Sequence, residues 1–403
     1  MVRHQVRWVI LALGVTQVIG YGGLYYAFAV LAPEITREFG WASGWTYGAF
    51  SVGLLAGGLV APLSGRLIDR YGAPTMMAIG SVLAAASLVG LSQSHDLMTF
   101  YLAITVMEVV STLVLYDAAF TMLTQFAGRD ARSAITKLTL IAGFASTIFW
   151  PLTVYLLTLM PWREVYLVYA ALCLFVCAPL HAVFRPALKN ARTEQAVAKA
   201  LADSAPAEGG PASPPTAATF WLVAIFFATG GFIVSALSVH MLTILQSVGF
   251  AAGVATLISM LQGPSQVAAR LVEFTFARRL SPQVTSIVSA ALIPLGLAFL
   301  GAAALGPAAG ACFAMAYGAG LGLNSIVRGT LPLALFGPHG YGALMGRLSA
   351  PGLVVKSAAP FAFALVADQF GTPVALIGLG LVAVISLVSV LLLPRTAPTG
   401  GSA

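Results

Sequence analysis

Long apolar segments recur along almost the whole chain, and they constrain its fold more than any other feature. A helix needs roughly 20 apolar residues to cross the hydrocarbon core of a bilayer. Segments of this kind lie at 8–32, 46–64, 75–93, 97–122, 137–159, 165–184, 218–244, 251–269, 283–302, 305–327, 341–366 and 372–393. A membrane β-barrel would instead show alternating segments of about ten residues, which this sequence lacks. The sequence therefore predicts an all-α membrane protein with twelve transmembrane helices.

The scarcity of charge excludes a soluble protein. Charged residues make up 8% of the chain and hydrophobic residues 59%, whereas an ordinary globular domain is about 25% charged. The basic residues are spread thinly between apolar segments, so the net charge of +7 does not indicate nucleic-acid binding. Only three cysteines are present, which excludes a disulfide scaffold.

The basic residues predict the orientation of the helices, because cytoplasmic loops are enriched in lysine and arginine. With both termini in the cytoplasm, only Arg37 and Arg163 fall outside, and Lys356 lies within a span. The other seventeen fall on the cytoplasmic side: Arg3, Arg7, Arg66, Arg70, Arg129, Arg132, Lys137, Arg185, Lys189, Arg192, Lys199, Arg270, Arg278, Arg279, Arg328, Arg347 and Arg395. We therefore expect a multi-pass protein with both termini cytoplasmic. The short loops and the Ala- and Gly-rich composition favour a cell inner membrane.

A segment at 185–217 separates the first six spans from the last six. It is rich in Pro, Gly, Ser and Ala, which cannot bury enough apolar surface to fold, so it is predicted to be a cytoplasmic linker. We expect an N-terminal six-helix bundle at 1–184 and a C-terminal six-helix bundle at 218–403.

A short motif recurs at the equivalent place in each half. The run GRLID at 65–69 follows the second span, and the run ARLVE at 269–273 follows the eighth. Repeated units of this kind build many transporter folds. The repeat therefore predicts that the two six-helix bundles are pseudo-symmetric.

The loop after the second span resembles the signature of a known family. Gly65, Asp69, Arg70 and Gly72 match the pattern G-x-x-x-D-R-x-G of the major facilitator superfamily, although the following 73–74 lack the basic residues usual there. With the twelve spans and the linker, the resemblance covers the whole chain. It implies a transporter in which this loop is a conformational latch, with Asp69 facing a helix N-terminus or a nearby Arg. A plainer interpretation is that the arginines of the loop only mark the cytoplasmic side.

Within the superfamily, the chain is most similar to the monocarboxylate porters and the oxalate/formate exchangers. The run GYGGLYYAF at 20–28 resembles their first helix, and GPSQVAAR at 263–270 resembles their eighth. The second match implies that Arg270 is the partner of a substrate carboxylate. Gln266 stands where these relatives have an Asp, and Val30 where the animal members have a Lys.

Ionisable side chains inside the predicted spans are functional candidates, because each costs about 2.5–3.5 kcal/mol to insert. Glu108 and Asp117 lie nine residues apart in the fourth span, and either could carry the coupling proton. An arginine offers a bidentate fork to a carboxylate. The candidate solute-binding residues are Arg270, Arg328, Tyr25, Lys356 and Gln266.

Each of these candidates has a structural alternative. Glu108 and Lys356 could form a pair that only neutralises both charges. Arg270 and Arg328 could reach out to the membrane surface, and Tyr25 could serve in packing.

Together these features predict a secondary active transporter that works by alternating access. The favoured function is proton-coupled transport of a small, monocarboxylate-like organic anion. The alternative is proton-driven efflux of lipophilic or cationic compounds, for which Glu108 and Asp117 would supply the acidic groups. An enzyme is not expected, because the sequence has no nucleotide-binding loop, metal-ligand cluster or nucleophile–base motif. The expected partners are the solute, the proton and the bilayer, with no cofactor, metal or nucleic acid and a monomeric state.

Overall fold

The structure is a computed structural model that describes residues 2–188, 216–276, 280–302 and 306–394. Nearly every residue in these ranges is helical, and they contain no β-strand. The prediction of an all-α protein is confirmed. Most of the predicted linker lies outside the described residues; of its ends, 185–188 are helical and Ala217 begins the next long helix.

The chain forms two compact units. The first unit contains Met1–Thr216 and Phe336–Arg347, and the second contains Ala217–Leu335 and Leu348–Ala403. The bundle boundaries expected from the sequence remain a prediction.

The first unit contains ten named helices. They are α1 Val2–Tyr21, α2 Ala27–Phe39, α3 Ser43–Tyr71, α4 Ala73–Ser92, α5 Leu97–Ser111, α6 Tyr116–Ala127, α7 Ala131–Ala142, α8 Ala145–Leu159, α9 Trp162–Leu172 and α10 Ala178–Val183. Single π-helical turns, Gly22–Tyr26 and Cys173–Cys177, join α1 to α2 and α9 to α10.

Seven further helices follow. They are α11 Ala217–Ser247, α12 Ala252–Met260, α13 Gln262–Phe276, α14 Pro282–Gly301, α15 Pro307–Phe336, α16 Tyr341–Phe370 and α17 Thr372–Leu391. All belong to the second unit except the last residue of α15 and the start of α16, which group with the first.

Eleven stretches of the described residues are long and apolar enough to cross a membrane. They coincide with eleven of the predicted spans. The remaining prediction, 251–269, is interrupted at Leu261, where α12 gives way to α13. Pro264 explains this break, because a proline lacks an N–H and its ring clashes with the carbonyl four residues earlier, at the end of α12. Together α12 and α13 provide the twelfth apolar segment.

Each unit has its own apolar core. Phe100 and Tyr166 are fully buried in the first, and Phe313 and Tyr317 in the second. Many other large apolar side chains are exposed, among them Phe361. Exposed apolar surface of this extent marks contact with a membrane.

A buried histidine joins three helices of the first unit. His181 on α10 is 2% exposed. Its Nδ1 lies 2.9 Å from Oγ of Ser81 on α4, and its Nε2 lies 2.9 Å from Oγ1 of Thr16 on α1. Buried polar groups are stable only when they are hydrogen-bonded, so this network specifies how the three helices pack. Sequence reasoning did not single out His181.

Replacing His181 by Ala should lower the free energy of unfolding by about 2–4 kcal/mol, because it removes two buried hydrogen bonds and opens a cavity. Thermal unfolding of the purified protein in detergent, followed by tryptophan fluorescence, would measure the change. His95 is exposed in the turn after α4, and His95→Ala should unfold at the wild-type temperature. Equal unfolding temperatures for the two variants would show that His181 does not hold these helices together.

Candidate solute and proton sites

The side chain of Arg270 on α13 lies inside the second unit, and only 6% of the residue is exposed. Its Nη2 donates a hydrogen bond to Oε1 of Gln266, one turn earlier, at 3.2 Å. Its Nε lies 3.1 Å from Oγ of Ser325 and 3.3 Å from the carbonyl oxygen of Gly322, both on α15. Its Nη1 is buried and has no hydrogen-bond partner among the described residues. The structure thus brings the predicted solute residues Arg270 and Gln266 into contact, and the guanidinium of Arg270 points into the second unit.

Glycines on α15 allow α13 to approach closely at this level. A β-carbon on Gly322 would lie 2.5 Å from the carbonyl oxygen of Gln266, and one on Gly318 would lie 2.5 Å from that of Gln262. Small residues of this kind let membrane helices pack backbone against backbone. The close approach places the carbonyl of Gly322 within reach of Arg270.

The other two cations predicted to bind solute make different contacts in the second unit. Nη2 of Arg328 on α15 donates to Oγ of Ser349 on α16 at 3.0 Å. Lys356, half-buried on α16, lies near Gly231 of α11, where an added β-carbon would be 3.8 Å from Cβ of Lys356. The hydrogen bonds of Arg270 involve neither residue.

Glu108 lies on α5 of the first unit and is 4% exposed. Two glycines of α3 make room for it. A β-carbon on Gly53 would lie 2.9 Å from Cγ of Glu108, and one on Gly57 would lie 3.0 Å from the carbonyl oxygen of Glu108. The side chain of Glu108 therefore lies where α3 and α5 pack closely against each other. The alternative pairing of Glu108 with Lys356 stays a hypothesis.

The predicted fourth span is not one continuous helix, because residues 112–115 separate α5 from α6. The hydroxyls of Ser111 and Thr112 donate to carbonyl oxygens three residues earlier, at 2.7 and 2.6 Å. Such bonds compete with the helical ladder. Leu115 then adopts an extended backbone with φ −84° and ψ −164°. The expectation of a single helix over 97–122 is wrong at this point.

The break places Asp117 in the first turn of α6. The N–H groups of a first turn have no helical acceptor, and they favour a negative charge nearby. Asp117 is half-buried and lines, with Thr112 and Gly65, a cavity of about 10 Å³. The side chain of Asp117 is thus partly shielded from the surroundings and lies in the first turn of α6.

The predicted latch residues lie at the end of α3 and beside the start of α16. Asp69 accepts hydrogen bonds from the backbone N–H groups of Gly342 at 3.0 Å and Ala343 at 2.7 Å. These belong to the first turn of α16, in the part that groups with the first unit. A β-carbon on Gly65 would collide with the carbonyl of Gly342, so only glycine permits this approach.

The remaining two latch residues shape the end of α3. Gly72 has a φ of 90°, which side chains other than glycine rarely adopt. The guanidinium of Arg70 is exposed and lies over the ring of Tyr71 at 5.3 Å. The prediction that 65–71 form a loop is wrong, because α3 continues through Tyr71. The physical cause is that 65–71 contain no proline and no residue with a positive φ, so the helix continues until Gly72.

Tyr25 lies in the π-helical turn Gly22–Tyr26 of the first unit. The ring of Phe149 packs against Gly22 so closely that a β-carbon there would overlap it. The ring of Tyr25 is 5.4 Å from that of Tyr26 and 5.7 Å from that of Phe50. Single π-helical turns inside α-helices are frequent at functional sites. Tyr25 is thus half-buried in an aromatic cluster with Tyr26 and Phe50.

Several neighbours of these sites were not predicted from the sequence. Ser325 and Gly322 contact Arg270 through a hydroxyl and a backbone carbonyl, which carry no charge signal in an apolar span. Tyr116 lies beside Asp117, and its ring centroid is 4.7 Å from that of Tyr21. The tyrosine adjacent to a candidate acid was a usable signal.

The sequence model described as Major Facilitator Superfamily matches residues 13–350, which is most of the chain. The chain belongs to the major facilitator superfamily. It is therefore a multi-pass membrane protein of a transporter family and not of an enzyme family. No curated protein matches it significantly.

Solved structures share the fold of this superfamily member. One is the proton:xylose symporter XylE bound to 6-bromo-6-deoxy-D-glucose, with a TM-score of 0.75 and 11% identity over 99% of this chain and 98% of that chain. Another is the human organic anion transporter MFSD10 (TETRAN), with a TM-score of 0.67 and 15% identity over 96% of this chain and 99% of that chain. The TM-scores show that the fold is shared, whereas identities this low do not identify the solute. The resemblance to the monocarboxylate branch stays a prediction.

Gly322→Ala should destabilise the protein by about 1–3 kcal/mol, because the added methyl group meets the backbone of α13 and not a flexible side chain. Thermal unfolding in detergent would measure the loss. Gly253 on α12 supplies the control, since an added β-carbon there would meet no described atom within 4 Å. Gly253→Ala should be at least as stable as the wild type, because Ala favours a helix over Gly by about 1 kcal/mol. An unfolding temperature for Gly322→Ala as high as that of Gly253→Ala would contradict the close packing of α13 and α15.

Proposed function

We propose that this protein is a secondary active transporter that couples the movement of a small organic anion to protons by alternating access. The proposal places it in the cell inner membrane as a monomer, with both termini in the cytoplasm and the division into bundles at 185–217. The observation that carries the choice of an anion is the environment of Arg270.

Arg270 holds a buried positive charge whose described hydrogen-bond partners are neutral oxygens. A buried charge without an opposite charge is costly. The N–H groups of Nη1 donate no hydrogen bond to the described residues. A carboxylate would offset this cost, because a guanidinium can donate two parallel hydrogen bonds to it. Gln266, bonded to the same guanidinium, holds the fork in one orientation. The name of MFSD10, an organic anion transporter, supports a solute of this class.

Asp117 and Glu108 are the proposed proton carriers. Both are acidic groups inside apolar spans of the first unit, where protonation removes the cost of a buried charge. Asp117 is the stronger candidate, since it lies at a helix break beside a small cavity. The description of XylE as a proton symporter supports proton coupling in this fold.

Asp69 is the proposed latch. Its carboxylate accepts two hydrogen bonds from the first turn of α16, where the helix dipole favours a negative charge. Transport requires such a contact to form and break during the cycle, and Gly65, Arg70 and Gly72 shape the end of α3 that carries it. Tyr25, Arg328 and Lys356 remain proposed solute contacts.

Arg270→Gln should reduce the apparent affinity for the anion about 10- to 100-fold, because a hydrogen bond to a charged group is worth about 1.5–3 kcal/mol. Arg270→Lys keeps the charge without the fork and should fall between this variant and the wild type. Purified protein in liposomes that contain a pH-sensitive dye would be given a panel of small carboxylates and, separately, lipophilic cations. Saturable internal acidification with particular carboxylates is the expected result.

The controls for this experiment are protein-free liposomes, which correct for passive acid leak, and Arg7→Gln, which removes an exposed arginine. Wild-type kinetics in Arg270→Gln would remove Arg270 from the site. A response to cations alone would replace the anion proposal with cation efflux.

Asp117→Asn should abolish the dependence of transport on the pH gradient and leave exchange of labelled for unlabelled solute intact. Asparagine has the same size but cannot bind and release a proton. The pH profile of uptake in the same liposomes would measure this, with Asp130→Asn, at an exposed position of the same unit, as the matched control. An unchanged pH profile in Asp117→Asn would pass the role of proton carrier to Glu108.

A further inference from the structure

Gln17 is a fully buried polar residue on the apolar first helix. Its Nε2 donates a hydrogen bond to the carbonyl oxygen of Val114 at 2.7 Å, across 97 residues of sequence. Both residues belong to the first unit. The reason for this bond lies in the backbone conformation around Val114.

Val114 lies in the 112–115 break between α5 and α6. In a continuous helix its carbonyl would accept from the N–H of residue 118. The extended backbone of Leu115 takes the carbonyl out of that ladder. A buried carbonyl without a partner is costly, and no water is present in the bilayer core to replace the bond. The side-chain amide of Gln17 therefore supplies the hydrogen bond that the carbonyl of Val114 would otherwise lack.

Successive residues of α1 contact successive residues at the end of the break. Beyond Gln17, a β-carbon on Gly20 would lie 3.2 Å from the side chain of Leu115. The ring centroids of Tyr21 and Tyr116 are 4.7 Å apart. Three successive contacts therefore join α1 to the residues that immediately precede Asp117.

We propose that Gln17 is a positioning residue that holds the break open and so keeps Asp117 in the first turn of α6. If the break closed into a regular helix, Asp117 would no longer lie in the first turn of a helix, where a negative charge is favoured. The inference rests on the proposed role of Asp117 as the proton carrier.

The test compares Gln17→Met with Gln125→Met. Methionine keeps the length of glutamine but cannot donate a hydrogen bond. Gln125 on α6 makes a similar bond to the backbone of the same unit, accepting from the N–H of Ala73 at 3.0 Å, but away from the break. Three quantities would be measured: the pH profile of uptake, solute exchange without a pH gradient, and hydrogen–deuterium exchange of the amides in 112–119.

Gln17→Met should shift the midpoint of the uptake profile by about 0.5 pH unit or more, because the first turn of α6 that surrounds Asp117 is no longer held in place. Amide exchange in 112–119 should become about three- to tenfold faster, which is the worth of one such hydrogen bond. Solute exchange should stay within about threefold of the wild type, since the solute residues are unchanged. Gln125→Met should alter none of the three. Gln17→Asn, one methylene too short to reach Val114, should behave like Gln17→Met and serves if the methionine variant does not fold.

A wild-type pH profile in the Gln17 variants, or an equal shift in Gln125→Met, would overturn the inference. Failure of the proposed function has a separate signature, namely a wild-type profile in Asp117→Asn. If Asp117→Asn changes the profile and Gln17→Met does not, Asp117 carries the proton and Gln17 does not position it.

Discussion

The structure depends on one constraint, that backbone N–H and C=O groups inside an apolar membrane must find partners within the protein. Continuous helices meet it by themselves. Every interruption of a helix therefore needs a local substitute for the missing bonds. In the fourth span, hydroxyls of Ser111 and Thr112 and the amide of Gln17 supply these substitutes. The break they make possible is where Asp117 lies, so the candidate proton site follows from how the backbone is satisfied.

Charged side chains that are buried or half-buried also need partners, and two of them find partners of different kinds. Asp69 is matched by the N–H groups at the start of α16, so its contact stabilises one arrangement of the chain. Arg270 is met by neutral oxygens from α13 and α15. A charge that its surroundings satisfy is suited to a structural or latching role, whereas a buried charge met only by dipoles is suited to a ligand of opposite charge. Arg66 and Arg270 occupy equivalent positions of the motif that recurs in the two halves. Their surroundings differ, because Arg66 is exposed and Arg270 is buried.

Sequence reasoning identified the class of protein, and its candidate site residues stay predictions. It found eleven spans that the structure contains as long apolar helical stretches, although the fourth and fifth of them are each divided into two helices. It missed the break at 112–115, because no Pro or Gly marks it, and the break at Leu261, because the apolar run hid the effect of Pro264. It also passed over Gln17 and His181, since neither carries a fixed charge. Both are polar side chains within apolar spans, and that alone was a usable signal.

The sequence by itself determined that the chain is a bundle of membrane helices of the major facilitator superfamily. Hydrophobic length, the distribution of arginine and lysine and a local glycine motif are properties of neighbouring residues, so they can be read without coordinates. Only the tertiary structure decided which polar groups meet: Asp69 with α16, Arg270 with α15, and Gln17 with Val114. These contacts join residues from about fifty to more than 270 positions apart. They depend on which faces of the helices turn toward each other, and that choice follows from packing over a whole unit and not from any local pattern.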